Sequence, residues 1–286
     1  MKIAVLSDIH ANRAALDAVL EDLDGRAPDQ VVVAGDVINR GPEPAACLKR
    51  ILECRDTYGW HLLKGNHEDF VIQERRPDPA RPAWLEEVHR HSIWTSQELE
   101  PYLDDVTSWP NQVDIEGPNG SLLRIVHASN IDNRTGLYAR MSDEEMLRGV
   151  DDQPDVFCVG HTHVPFTRRI RERLVVNAGA VGLPFDGNID ASYALFSSTN
   201  GTWSPEIIRV PYDRHITARA YDTTGYRDAG GAMIPLILDE LEHARPNLRK
   251  WHTYYEAAVA SGKMTVPESV EAFLENRESL SHRPVQ

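Results

Sequence analysis

The chain has 286 residues, of which 44 are acidic and 30 are basic, so its formal net charge is −14. A charge of this sign repels the phosphate backbone of nucleic acid, and polymeric nucleic acid is therefore not an expected substrate. No stretch approaches the roughly 20 apolar residues of a membrane span, and no signal-peptide cleavage site follows the first apolar run. The odd number of cysteines, three, favours a reducing compartment. We expect a cytoplasmic protein without a membrane segment.

Three short apolar runs in the first quarter of the chain predict strands that are buried on both faces. They cover residues 2–7, 30–34 and 60–63. The first linking segment begins with Asn12, a residue type that caps helices, and continues with leucine and valine at helical spacing. Pro44 opens a second helical pattern. This alternation of strand and helix predicts a mainly parallel sheet with helices against it.

Residues 71–110 break the alternation with several prolines and long charged stretches of helical character. We interpret this segment as a helical insertion or cap beside the site. It carries Trp84, Trp94 and Trp109, which could stack a nucleobase or another flat group above the site. Packing in the core of the inserted lobe is the alternative that we favour.

The later part of the chain predicts strands that pair locally. Turn-forming residues at 118–120 and 200–201 separate runs of strand character, whereas residues 177–182 predict a tight return between strands. From residue 213 the pattern becomes helical again. We therefore predict an α/β fold of mixed α+β type, a four-layer αββα sandwich of two packed sheets. Its catalytic domain would span residues 1–212, with residues 213–286 as a C-terminal helical extension packed on it.

Five polar clusters punctuate the chain, and the first three follow directly on predicted strands. Carboxylate, amide and imidazole groups of this kind suit manganese, iron or zinc better than calcium. Within two of the clusters the candidate ligands are two residues apart, so an extended turn would direct both side chains to one cation. The clusters are Asp8-Ile9-His10, Gly35-Asp36, Gly65-Asn66-His67-Glu68, His127 and Gly160-His161-Thr162-His163.

The order of these clusters, D-x-H, G-D, G-N-H-E, H and G-H-x-H, resembles that of the calcineurin-like metallophosphoesterases over residues 1–212. The resemblance also implies the αββα sandwich and a centre of two metal ions bridged by Asp36. Manganese is the first candidate for both ions, with iron, zinc or nickel as alternatives. The implied ligands are Asp8, His10, Asp36 and His163 for one metal, and Asp36, Asn66, His127 and His161 for the other.

The resemblance implies a hydrolytic mechanism in which a hydroxide bridging the metals attacks phosphorus and His67 protonates the leaving oxygen. Residues 35–41 look like the G-D-x-x-D-R-G stretch of serine/threonine phosphatases, with Asn39 in place of the aspartate. Arg40 would then grip a substrate phosphate through its guanidinium group. A surface arginine on a turn is the alternative for Arg40.

The predicted function is a dinuclear metal-dependent phosphoesterase that hydrolyses a small phosphodiester or phosphomonoester. Arg40, together with Glu68 in place of a more usual aspartate, suggests a protein phosphatase or a diadenosine polyphosphate hydrolase as alternatives. A non-catalytic phosphate- or nucleotide-binding scaffold is an alternative of another class, and the completeness of the ligand set argues against it. A regulatory nucleotide or phosphate sensor with residual hydrolysis is a third possibility. The sequence leaves the substrate and the oligomeric state open.

Overall fold

The computed structural model describes residues 1–76 and 78–281; residue 77 of the predicted insertion and residues 282–286 of the predicted extension lie outside the described residues. The described residues form two five-stranded sheets, with strand orders β10-β9-β1-β2-β3 and β4-β5-β6-β8-β7. The strands are β1 (Lys2–Leu6), β2 (Gln30–Val33), β3 (His61–Leu62), β4 (Gln112–Glu116), β5 (Leu122–Val126), β6 (Val156–Val159), β7 (Phe166–Ile170), β8 (Arg173–Asn177), β9 (Ala191–Thr199) and β10 (Thr202–Val210).

Helices connect the early strands and dominate the end of the chain. They are α1 (Arg13–Arg26), α2 (Pro44–Tyr58), α3 (Asn66–Gln73), α4 (Ala83–Leu99), α5 (Leu103–Thr107), α6 (Asp143–Arg148), α7 (Arg214–Thr223), α8 (Tyr226–Ala229), α9 (Ile234–His243), α10 (Asn247–Tyr254), α11 (Glu256–Ala260) and α12 (Val266–Ser281). The start of α1 shows why the sequence folds this way. The Asn12 side chain accepts a hydrogen bond from the backbone N–H of Ala15, and Leu16, Val19 and Leu23 form the buried stripe that follows.

The two sheets pack face to face, which confirms the predicted sandwich. Apolar side chains of β1 and β2, such as Val5 and Val32, meet Ile125 and Cys158 of the second sheet. The outer face of the first sheet packs against α1 and α2, and the outer face of the second packs against Met146 of α6 and the loop before it. Helices thus cover both outer faces, as an αββα arrangement requires.

One expectation from the sequence needs correction, and one strand was not predicted. Residues 177–182 do not form a tight return between strands but begin a longer connection from β8 in the second sheet to β9 in the first. The backbone N–H groups of Val181 and Gly182 donate to the carbonyls of Ser7 and Asp8, so this segment lies along the loop after β1. The edge strand β7 was not predicted, because two of the five residues of its sequence Phe-Thr-Arg-Arg-Ile are charged and the strand is only partly buried.

The helices after β10 pack with α4 around one apolar cluster. Its buried members include Val88 of α4, Tyr226 of α8, Trp251 of α10 and Phe273 of α12. Two of the tryptophans of residues 71–110 pack against this cluster, and the third lies in the core beneath the first sheet. Core packing, the alternative that we favoured for these tryptophans, is therefore what the structure shows. Within the described residues, no helix combines the length and the apolar character needed to cross a bilayer.

The sheet topology decides where the polar clusters lie. Strands β1, β2 and β3 run parallel in the first sheet, and β5, β6 and β8 run parallel in the second. Loops that follow parallel strands leave a sheet at the same edge, and in open α/β sheets ligands bind at that carboxyl edge. The loops after β1, β2, β3, β5 and β6 carry all five clusters, and the two sheets bring these loops together.

We expect the core beneath the first sheet to dominate stability. Ile51 of α2 is fully buried there, whereas Ile216 of α7 is 47% exposed. Ile51→Ala should lower the free energy of unfolding by about 2–5 kcal/mol, because it removes buried methyl groups and leaves a cavity. Denaturant titration of both variants measures this, with Ile216→Ala as the control that changes the same residue type in a helix. Equal effects of the two substitutions would contradict this packing.

Candidate metal centre

Four of the predicted ligands meet at the ends of β1, β2 and β6. Asp8, His10, Asp36 and His163 each offer one ligand atom, and these atoms all lie within 4.8 Å of one another. His163 Nε2 is 3.2 Å from Asp8 Oδ1, and His10 Nε2 is 3.8 Å from the same oxygen. All four residues are almost completely buried. Mixed carboxylate and imidazole donors at these distances can hold one divalent transition metal.

A second group shares Asp36 with the first. Asp36, His127 and His161 also offer ligand atoms within 4.8 Å of one another. The amide oxygen of Asn66 is 3.0 Å from His127 Nε2 and 2.9 Å from His161 Nδ1, so it belongs to the same group. Asp36 Oδ2 lies 3.4 Å from His127 Nε2 and 3.7 Å from His10 Nε2. One carboxylate oxygen therefore stands between the two ligand groups.

The backbone of the ligand loops is left-handed, not extended as we expected from the sequence. Asp8, His10, Asp36, His161 and His163 all have φ between +47° and +64°. Such a conformation costs a non-glycine residue of order 1–3 kcal/mol and persists only where the surroundings impose it. It turns the chain sharply after each strand, so that ligands of successive loops reach one point. Strain of this kind, at several buried polar residues together, is typical of functional sites.

Two glycines in the motifs allow backbone to approach carboxylates closely. A Cβ at Gly65 would lie 2.2 Å from Asp36 Oδ1, and a Cβ at Gly160 would lie 2.5 Å from Asp8 Oδ2. Neither position tolerates a side chain without displacing a candidate ligand. Gly65 itself has φ of −94°, so close approach, rather than a left-handed backbone conformation, is the reason for glycine there.

Backbone carbonyls fix the orientation of three imidazoles. The Nδ1 atoms of His10, His127 and His163 face the carbonyl oxygens of Asn39, Ala34 and Leu183, respectively. A ring that donates its Nδ1–H to a carbonyl presents a lone pair on Nε2. The Nε2 atoms of all three rings are those that point into the ligand groups. This is the arrangement expected of imidazoles that bind metal.

The charge states of the site also suit metal binding. Burial lowers the pKa of His10 to about 3 and that of His161 to about 4, so both rings are neutral at neutral pH. Burial acts in the same direction on His127, but the Asp36 carboxylate raises the pKa of His127 to about 10. A metal ion takes the place of a proton on such a nitrogen, so binding at this position releases protons.

A buried oxygen in the site lacks a partner, which tests whether a cation fits there. Asp8 Oδ2 accepts a hydrogen bond of 2.8 Å from the backbone N–H of His161, whereas Asp8 Oδ1 has no hydrogen-bond partner among the described residues. Burial raises the pKa of Asp8, but nearby histidines, His163 foremost, lower it well below the usual value. An ionised, buried and unpaired carboxylate oxygen beside imidazole nitrogens is a position that a metal cation satisfies.

The model of the calcineurin-like phosphoesterase superfamily domain matches residues 1–201. The chain belongs to this superfamily. It is a metal-dependent phosphoester hydrolase. Its sequence is similar to that of the uncharacterized protein MJ0912 of Methanocaldococcus jannaschii, with 28% identity over 74% of this chain and 88% of that protein. It is 25% identical to the phosphodiesterase YfcE of Escherichia coli, over 69% of this chain and 88% of YfcE.

A solved structure agrees with this assignment. The crystal structure of a metallophosphoesterase from Sphaerobacter thermophilus is similar, with a TM-score of 0.67 and 28% identity, over 85% of this chain and 99% of that one. Both the fold and the order of the polar clusters therefore follow from membership of the phosphoesterase superfamily.

Glu68 holds the Asp36 loop of this phosphoesterase in place. Its carboxylate is fully buried and accepts backbone N–H groups from Gly65 at 2.8 Å, Asp36 at 2.7 Å, Val37 at 2.9 Å and Ile38 at 3.3 Å. Burial and the neighbouring Asp36 raise the pKa of Glu68 to about 7, against the effect of these N–H groups. Glu68 is thus a structural anchor, and nothing in its contacts ties it to a particular substrate.

The predicted proton donor His67 lies in the first turn of helix α3 and contacts Asn39. The Asn39 amide nitrogen is 3.0 Å from His67 Nδ1 and 2.8 Å from Ser92 Oγ, while the amide oxygen of Asn39 accepts the backbone N–H of Arg40 at 3.0 Å. Since the Arg40 bond identifies the amide oxygen, Asn39 donates to His67 Nδ1. The proton of the neutral ring then resides on Nε2. Burial, with the charge of Arg40, lowers the pKa of His67 well below its usual value.

A cavity of about 350 Å³ lies next to the ligand groups. His67 and Arg40 line it, as do residues from the loop after β5, from the connection between β8 and β9 and from the C-terminal helical region. Sequence reasoning missed this second set, because no local pattern connects such distant segments to the motifs. Glu68 was visible as the fourth residue of a Gly-x-x-Glu capping pattern, a signal that we assigned to substrate choice instead. The missed lining residues are Arg134, Tyr138, Phe185, Glu240, Pro246 and Arg249.

Glu68→Gln should weaken both folding and metal binding. The substitution keeps the shape of the side chain but places an amide N–H against backbone N–H groups. We expect the free energy of unfolding to fall by about 2–4 kcal/mol and metal affinity to fall about 10–100-fold. Denaturant titration and metal titration of stripped protein measure these effects, with the exposed Glu21→Gln as the control. Unaltered metal affinity in Glu68→Gln would refute the anchoring role.

Proposed function

We propose that the protein is a dinuclear phosphoesterase that hydrolyses a small phosphodiester or phosphomonoester. The observation that carries the proposal is the position of Asp36 Oδ2, within 3.7 Å of a nitrogen from each of the two ligand groups. Two metals about 3.5–4 Å apart can share one carboxylate in this way. In this proposal Asp8, His10, Asp36 and His163 hold one ion, and Asp36, Asn66, His127 and His161 hold the other.

Two divalent cations at these ligands would lower the pKa of bound water and neutralise phosphoryl oxygens. The protein's part is to orient the substrate and to handle the leaving group. His67 lines the cavity, and its Nδ1 is occupied by Asn39, so Nε2–H is the donor available to a leaving oxygen. Arg40 lines the same cavity and supplies guanidinium N–H groups for a phosphate oxygen. No nucleophilic serine or cysteine is needed.

The ions proposed are divalent, with manganese as the first choice and iron, zinc or nickel as alternatives. Imidazole, carboxylate and amide donors accept all four, and their availability decides which is bound. The donor set excludes a closed thiolate site, since the three cysteines are buried in the sandwich or in α2 and lie outside both ligand groups.

The shape of the cavity favours a small substrate over a phosphoprotein. Phe185 and residues of the C-terminal helices line the cavity next to the ligand groups, and the volume of this cavity is about 350 Å³. We propose that residues 1–212 form the catalytic domain and that the helices after residue 213 restrict its substrates. The cavity is lined by three arginines, although the whole chain is strongly acidic, so its local field attracts an anion.

Hydrolysis of bis(p-nitrophenyl) phosphate and of p-nitrophenyl phosphate tests the proposal. Protein stripped with a chelator should be inactive on both esters, and added manganese should restore turnover. The better ester then decides between diesterase and monoesterase. Absence of turnover on either ester, with two metals bound per chain, would contradict the proposed function and favour a binding protein or sensor.

His67→Ala should separate metal binding from catalysis. We expect its metal content to stay near that of the parent, while turnover of an alkyl phosphoester falls by about 10²–10⁴-fold, because the leaving alkoxide loses its proton donor. Turnover of p-nitrophenyl esters should fall much less, since nitrophenolate leaves without protonation. The exposed His61→Ala is the control in steady-state kinetics and metal analysis. Equal losses on both kinds of ester would argue against proton donation by His67.

A further inference from the structure

A buried carboxylate of the C-terminal helices faces the cavity beside the metal centre. Glu240 of α9 is 1% exposed and lines this cavity. Its Oε1 accepts a hydrogen bond of 2.8 Å from the backbone N–H of Leu248, whereas its Oε2 has no hydrogen-bond partner in the described part of the chain. A buried acceptor left without a donor costs free energy, so a ligand that brings a donor to Oε2 gains affinity.

Arg40, which lines the same cavity, has a buried donor without an acceptor within the described ranges. Its Nε is buried and also lacks a hydrogen-bond partner among the described residues. Burial raises the pKa of Glu240, and the positive charge of Arg40 opposes that rise, so the two side chains interact electrostatically. Yet they form no ion pair among the described residues, and Arg40 Nε and Glu240 Oε2 are both left without a hydrogen-bond partner there. A ligand that offers an acceptor to Arg40 and a donor to Glu240 would satisfy both.

The charges around the cavity select the kind of donor. Arg134 packs over the ring of Phe70 at 4.8 Å, and Arg249 packs over Tyr138 at 5.2 Å and donates to its hydroxyl group. Both arginines are exposed at the cavity and add to the positive charge of Arg40. Positive charge from three guanidinium groups disfavours an ammonium group in the ligand. A neutral hydroxyl group is therefore the donor that fits beside Glu240.

We propose that Glu240 and Arg40 form a recognition site for phosphoesters of polyhydroxy alcohols, in which a free hydroxyl group beside the esterified phosphate donates to Glu240 Oε2. The inference rests on the proposed function, because it names the class of substrate for the same cavity. Glu240 lies outside residues 1–201, which match the superfamily, so the group that would select for a hydroxyl lies in the helical part of the chain, whereas Arg40 lies within the superfamily domain.

Glu240→Gln tests the site without a change of shape. The Leu248 N–H requires an oxygen at the Oε1 position, so the amide nitrogen of glutamine occupies the Oε2 position and replaces a charged acceptor with a neutral donor. The matched control is Glu242→Gln, which changes an exposed glutamate of the same helix outside the cavity. The ligands are 2,3-dihydroxypropylphosphonate and propylphosphonate, which cannot be hydrolysed and differ only in their hydroxyl groups.

Calorimetric titration of the manganese-loaded, full-length protein measures binding directly. The parent and Glu242→Gln should bind the dihydroxy ligand about tenfold or more tightly than propylphosphonate, the effect of one hydrogen bond to a charged group. Glu240→Gln should reduce this preference severalfold, because the amide N–H that replaces Oε2 can form only a neutral hydrogen bond with the hydroxyl group. It should bind propylphosphonate at least as tightly as the parent does. Thermal unfolding of each variant reports on folding, and the ligand comparison on the parent decides the question if Glu240→Gln does not fold.

Equal affinity of the parent for both phosphonates, binding of neither, or an undiminished preference in Glu240→Gln would overturn the inference. Tighter binding of 3-aminopropylphosphonate than of the dihydroxy ligand would contradict the hydroxyl class. Turnover of bis(p-nitrophenyl) phosphate by the same preparation keeps the two questions apart. If turnover is present and the preference is absent, only this inference fails; if manganese restores no turnover on either nitrophenyl ester, the proposed function fails.

Discussion

The carboxylate of Glu68 is the interaction on which the rest of the site depends. It gathers backbone N–H groups from two different loops, those of Asp36 and of Gly65, and so joins the end of β2 to the start of α3. Asp36 adds a second connection between the same segments, because its Oδ1 accepts a hydrogen bond of 2.9 Å from the backbone N–H of His67. The loop that places the shared carboxylate and the helix that carries Asn66 and His67 are thereby held in one register. The fully buried position of Glu68 makes these bonds strong and their loss costly.

The conformation of the candidate ligands is also imposed by the surrounding structure. Left-handed backbone at the strand ends is unfavourable, yet it aims carboxylates and imidazoles from both sheets at one small volume. Carbonyl oxygens of Ala34, Asn39 and Leu183 orient the imidazole rings of the ligands. The close approach of glycine backbone to the ligand carboxylates leaves no space for a side chain at those glycines. The sandwich supplies the rigidity, since both sheets are buried on both faces at this edge. Stability of the core and organisation of the site are thus linked through the strand ends.

Much of this arrangement could be predicted from sequence, because the signals that indicate it lie in short segments next to the ligands. Short apolar runs that end at Asp8, Asp36 and Asn66 indicate parallel strands, and parallel strands bring their carboxyl ends together. The left-handed turns could not be predicted, because Asp-x-His and His-x-His motifs do not by themselves specify a backbone conformation. The cavity walls were equally hidden: Glu240 sits in a helix whose sequence shows only an apolar stripe, and its position depends on packing between distant segments.

Anomalous diffraction from crystals grown with manganese tests whether two metal ions share Asp36. We expect two anomalous peaks about 3.5–4 Å apart, with the Asp36 carboxylate between them, His10 and His163 on one, and Asn66, His127 and His161 on the other. A single peak, or two peaks that do not share Asp36, would contradict the dinuclear centre.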